Sequence, residues 1–172
     1  MLLRFILMFA LAAIVSGCVK PPKTAEGFRQ LAASGTMWAE VETFEVNWPY
    51  RTVAERFKAR SDACLRVQVV STSSGGYQSH PTTFKQDYMP TVRLNQRRAE
   101  FYVQIHIEGT NLVKVYEEAE GGDYVMVADA YPLAPNKTRI ELHRVSIGHD
   151  VLMKSVRDWA TGTSKACPDL TK

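Results

Sequence analysis

Residues 99–107 read Ala99-Glu100-Phe101-Tyr102-Val103-Gln104-Ile105-His106-Ile107. Ala99, Phe101, Val103, Ile105 and Ile107 alternate with Glu100, Tyr102, Gln104 and His106, the period of a strand with one face against a core. A slip of one residue would turn every apolar side chain of this row to water, so the row also sets a pairing register. The same period recurs around it. Residues 65–70 alternate Leu65, Val67 and Val69 against Arg66 and Gln68. Residues 82–94 read as a strand pair or one long bent strand interrupted by Pro90. Gly109-Thr110-Asn111 turns into a strand over 112–117, and Gly121-Gly122-Asp123 into one over 124–130. A loop around Pro132 and Pro135 leads to one over 138–145. Such short connections join antiparallel neighbours. Residues 71–81 are polar and carry Gly75-Gly76, which reads as a loop.

Helical period frames these strands. Val53, Phe57 and Cys64 share one face of a helix over 51–64. Leu152, Val156 and Trp159 form the apolar stripe of a last helix, with Asp150 expected as its N-cap and Gly162 as its stop. A shorter helix is expected over 24–34, capped by Thr24, with Phe28, Leu31 and Ala32 on one side. Residues 38–48 read as a strand. Its apolar phase passes from Ala39, Val41 and Thr43 to Phe44, Val46 and Trp48, which predicts a bulge or sharp bend near Thr43.

The first residues are of another kind. Arg4 precedes an apolar run over 5–15. A helix of that length spans ~16 Å against ~30 Å of bilayer hydrocarbon, so it suits a secretory signal and not a stable span. Val15-Ser16-Gly17-Cys18 resembles the lipobox of bacterial lipoproteins. The resemblance implies a signal peptide over 1–17 and acylation of Cys18, leaving a tether over 18–23 and a domain over 24–172. The residue after Cys18 is Val19, not the Asp that retains lipoproteins at the inner membrane in enterobacteria-like systems. The outer membrane, periplasmic face, is therefore expected. The tether, Val19-Lys20-Pro21-Pro22-Lys23, reaches at most ~18 Å.

With Cys18 acylated, Cys64 and Cys167 remain in an oxidising compartment. A disulfide between them is the expected reading, with two buried thiols as the alternative. No C-x-x-C and no close histidine pair is present, so no metal or thioredoxin-like chemistry is expected.

The element order (strand, helix, about six strands, helix) is similar to the helix-grip fold of the START/Bet v 1-like (SRPBCC) superfamily, roughly over 37–163. Residues 123–133, Asp-Tyr-Val-Met-Val-Ala-Asp-Ala-Tyr-Pro-Leu, resemble part of the closing half of such domains. The expected class is thus α+β. A curved antiparallel sheet of about seven strands would pack on a long C-terminal helix, with another helix between strands one and two. An α+β domain of other topology and a lipocalin-like barrel are the alternatives; the helix over 51–64 argues against the barrel. The resemblance implies an apolar ligand between sheet and last helix, lined by Phe101, Val103, Ile105, Met126, Ile140, Leu142, Leu152, Val156 and Trp159. Alternating apolar residues of this kind more often simply fill a core.

Chemistry is sparse in the sequence. With 45% hydrophobic and 23% charged residues the chain is an ordinary globular one, and its net charge of +3 gives no argument for nucleic acid. No H-E-x-x-H, G-x-S-x-G, P-loop or G-x-G-x-x-G occurs, and no cofactor is expected. His80, His106, His143 and His149 read as surface or capping residues. Glu117, Glu118 and Glu120 read as a solvated cluster, and Arg139, Glu141 and His143 as an exposed ion-paired edge. The expected function is non-enzymatic: a lipid-anchored envelope protein that binds a partner protein, or else carries an apolar or lipid ligand.

Overall fold

The computed structural model describes residues 21–73, 82–109 and 116–171. In chain order the elements are α1 (Ala25–Ala33), β1 (Ala39–Val46), α2 (Tyr50–Cys64), β2 (Gln68–Ser73), β3 (Thr82–Leu94), β4 (Ala99–Gly109), β5 (Asp123–Ala134), β6 (Lys137–Val145) and α3 (Asp150–Thr161). The fold is α+β. Six strands form one open antiparallel sheet in the order β1-β6-β5-β4-β3-β2. The strand expected over 112–117 lies mostly outside the described residues, and its described end, Tyr116 and Glu117, is not strand.

The alternating row of β4 sits where its period places it. Phe101, Val103 and Ile105 face inward beside Met126 and Ala128 of β5 and Ile140 and Leu142 of β6. Val53 and Phe57 of α2 and Leu152, Val156 and Trp159 of α3 close over them in one buried cluster. The Phe57 and Phe101 ring centroids are 4.9 Å apart. One covering helix was expected, but two share the inner face. Six strands at about 4.8 Å spacing make a sheet roughly 24 Å wide, against roughly 10 Å for one helix. The 15-residue α2 lies over β3, β4 and β5, and the 12-residue α3 packs beside it.

The outer face is covered too. Thr24 Oγ1 accepts the Gly27 N–H at 3.0 Å and starts α1, which lays Phe28 on Tyr102 of β4 and Val127 of β5. Tyr102 and Gln104 belong to the polar phase of β4, yet both are buried. Gln104 Nε2 donates to the carbonyls of Glu120 and Gly122, both at 2.8 Å, and ties the turn before β5 to β4. Gly122 needs its lack of a side chain there: its φ is +102°, and a Cβ would stand 2.6 Å from the Ile105 carbonyl.

Several local expectations need correction. No bulge interrupts β1, which pairs with β6 continuously from Ala39↔Val145 to Val46↔Thr138. Its apolar phase switches because the strand serves two layers: Ala39 lies on the outer face with α1, and Phe44 and Val46 belong to the inner core. Pro90 does not interrupt β3, because β2 is short. Val67 accepts the last bond, from Tyr88 N at 3.1 Å. The nitrogen of Pro90 points the same way, two residues beyond, where no strand needs its missing N–H. Pro132 lies within β5, at a register shift, and a two-residue turn joins β5 to β6. The N-cap of α3 is His149, with φ 61°, and Asp150 is the first helical residue.

The sheet has two distinct ends. The starts of β1, β3 and β5 and the finishes of β2, β4 and β6 define an upper end; the other termini define the lower end. Lys23 is fixed at the upper end, where its Nζ donates to the carbonyls of Glu117 and of Glu118.

Candidate functional site

Across the outer face three carboxylates stand on neighbouring strands. Glu100 of β4 is paired with Asp129 of β5, and Asp129 with Glu141 of β6. Like charges placed directly opposite destabilise a sheet. Arginines from α1, the β3–β4 turn and β6 offset them. Arg29 of α1 grips Asp129 with both arms of its fork, Nε to Oδ2 at 2.6 Å and Nη2 to Oδ1 at 2.9 Å. Its Nη2 also lies 3.1 Å from Glu100, and its Nη1 3.1 Å from Glu26. Arg98 stands 3.5 Å from both Asp129 and Glu100, and Arg139 is 3.0 Å from Glu141. Asp129 is fully buried and Arg29 nearly so. Burial works against the Arg29 charge, but the hydrogen bonds and charges of Asp129 and Glu100 outweigh it and hold the guanidinium above its ordinary pKa.

This network docks α1 on the sheet. The sequence carried one sign of it: Asp129 interrupts the apolar run Val125-Met126-Val127-Ala128 of β5, and a lone acid in such a run requires a buried partner. Nothing local points to Arg29 as that partner, a hundred residues away.

Two charged-residue expectations are corrected here. β6 is no edge, because β1 pairs with it; Arg139 and Glu141 are ion-paired, but His143 is buried. Glu118 is not solvated: its side chain is mostly buried, and its Oε2 lies 2.9 Å from His106 Nδ1. His149 packs edge-on to the Tyr88 ring, and His80 lies outside the described residues.

Burial lowers the His143 pKa below its ordinary 6.5, against the pull of the nearby Asp129. His149 is lowered in the same way. The unfolded chain therefore takes up protons first as pH falls. The stabilisation from neutral His143 is complete above about 6.5 and drains away as pH drops toward and through the lower folded value. We expect the urea midpoint to fall between pH 7.5 and pH 5.5. His143→Phe should flatten that fall, leaving the share of His149; an unchanged slope would refute the assignment.

The lower end carries open clefts. Asn95 Oδ1 accepts the N–H groups of Arg97 and Arg98, at 2.8 and 2.9 Å, and shapes the β3–β4 turn. Asn95, Gln96, Arg97, Arg98 and Tyr131 line a cleft of about 580 Å³. A second, of about 380 Å³, lies between Pro49-Tyr50-Arg51 and residues 132–135. The Tyr50 hydroxyl donates to the Asn95 carbonyl at 3.3 Å, linking one wall of each. Leu94 and Leu133 are exposed at the same end.

The nine residues expected to line a ligand space (Phe101, Val103, Ile105, Met126, Ile140, Leu142, Leu152, Val156 and Trp159) belong to a single packed cluster, each 2% exposed or less. Trp159 also borders an open cleft of about 360 Å³ between α2 and α3. Cys64 and Cys167 are joined by a disulfide, with Cα atoms 5.2 Å apart. Cys18 lies outside the described residues. Among the described residues, no group of three or more His, Cys, Asp or Glu is placed to hold a metal ion. No helix there is long and apolar enough to cross a membrane. Comparison with family models and with curated proteins returns no match.

Proposed function

We propose that this protein is a lipid-anchored, periplasm-facing lipoprotein with no enzymatic role, and that its lower end docks a partner protein of the cell envelope. Its domain is a variant of the helix-grip arrangement with six strands and two inner helices. One observation carries the reading: the chain is fixed at Lys23 on the upper end, while the clefts and the exposed Leu94 and Leu133 lie at the lower end. Anchored through Cys18, five residues before Lys23, the domain turns its upper end to the bilayer and offers its lower end to the periplasm. Val19 after Cys18 supports the outer membrane. Carriage of an apolar ligand between sheet and helices has less support, because the side chains that would line that space pack on one another.

Two measurements test the proposal. The mature protein should exceed the mass of residues 18–172 by its acyl chains, and Cys18→Ser should either release the domain or leave the precursor uncleaved. A photo-crosslinking residue in place of Leu133 should give one discrete adduct in living cells, whereas one in place of Val70, on the exposed side of β2, should not. An unmodified Cys18 sinks the anchor. Equal or absent crosslinking at both positions sinks the docking end.

A further inference from the structure

Three large apolar side chains stand exposed at the upper end. Met37 is 76%, Trp38 58% and Ile147 76% exposed. Met37 and Trp38 lead into β1, and Ile147 follows β6. The Trp38 carbonyl accepts the Ser146 N–H at 3.0 Å, so the two segments are neighbours. Val151, in the first turn of α3, is exposed beside them in sequence. Such side chains at one end of a domain mark a surface meant to be covered.

The position of the tether says by what. Lys23 is held at this same end by the carbonyls of Glu117 and Glu118. From Lys23 the chain back to Cys18 reaches at most ~18 Å. Once Cys18 is acylated, the upper end cannot leave the headgroup region by more than that distance. Tryptophan prefers this region, with its ring among the acyl ends and its N–H among headgroups.

Area and charge narrow the occupant. The three side chains expose on the order of 400 Å², about half of the roughly 800 Å² each partner contributes to a stable dimer. The charged neighbours are already paired: Arg144 lies between Glu40 and Asp150. Among the described residues no basic cluster adjoins Met37, Trp38 and Ile147, so recognition rests on apolar insertion.

We propose that Met37, Trp38 and Ile147 form a second, non-covalent contact with the lipid surface, inserting to headgroup depth and fixing the orientation of the anchored domain. The inference rests on the lipid-anchor reading given above.

The test uses the acylated full chain in phosphatidylcholine vesicles, with and without bromine on the lipid chains. Bromine quenches only indoles at lipid depth. Trp159 is buried, and Trp48 lies at the lower end under the Arg56 guanidinium, 4.0 Å from its ring. Emission of the parent protein should therefore drop in brominated vesicles. Trp38→Phe should float with the vesicles equally well and lose that quenched share. Met37→Ser combined with Ile147→Ser should reduce the quenching with Trp38 still present. High salt should change none of this. Flotation with equal emission in both vesicles overturns the lipid contact and leaves the anchor standing. So does a concentration-dependent dimer with Trp38 shielded and unquenched, which would assign the patch to a second copy. Failure of the parent to float, with no acyl mass, overturns the anchor and this contact together.

Discussion

Asp129→Ala is expected to lower the unfolding free energy by about 3 kcal/mol, toward the lower end of the usual cost of breaking a buried ion pair. The variant leaves the Arg29 guanidinium under α1 without its bidentate partner. Glu100 and Glu26 still face that guanidinium, which keeps the cost from being greater. Urea unfolding measures the change, and limited proteolysis of the segment joining α1 to β1 should quicken in parallel, because the network is the polar half of the α1 dock. The double variant Arg29→Met with Asp129→Leu should recover most of the loss, since it removes both charges and their desolvation cost. A loss below about 0.5 kcal/mol for Asp129→Ala would place the pair among weak surface bridges and refute this account of how α1 is held.

The larger expected effect belongs to the disulfide. It closes a span of 103 residues, joining the last residue of α2 to the tail beyond α3. In the chain-entropy description a closed loop of that size stabilises by about 4.7 kcal/mol, acting on the unfolded chain. Replacing Cys64 and Cys167 together by Ala should therefore lower the melting temperature more than any single surface change. Reductant should do the same to the parent and nothing to the variant. The tail itself should loosen. Trp159 Nε1 donates to the Ala166 carbonyl at 3.1 Å, and Arg60 donates to the Lys165 carbonyl at 3.2 Å. Faster hydrogen exchange over residues 163–171 would report that loosening. Equal stability of variant and parent would mean the unfolded chain is already held compact without the bond.

Much of the fold was legible because period is a local property. The alternation over residues 99–107 placed Phe101, Val103 and Ile105 inside, and the stripe of Leu152, Val156 and Trp159 met them there. Contacts on the second face were not legible. The apolar side of α1 is small, so nothing announced that it would bury Tyr102 and Val127 on the second face. The mixed phase of β1 read as a bend, because one strand that meets two layers and a strand that kinks leave the same pattern. Pro90 read as a break, because a sequence does not say how far the neighbouring strand extends. Of the outer-face network only Asp129 left a trace; its partners come from α1 and from the turn before β4, which no local rule connects.

The shortness of β2 has a consequence for the margin of the sheet. Among the described residues, no strand pairs with residues 89–94 of β3 on the β2 side. A strand flank without a partner is a template for the zippering of one molecule onto the next. Pro90 is buried and offers no N–H there, and the exposed Arg93 sets a charge along the same stretch. The residue that looked like an interruption acts as a guard on an unfinished margin.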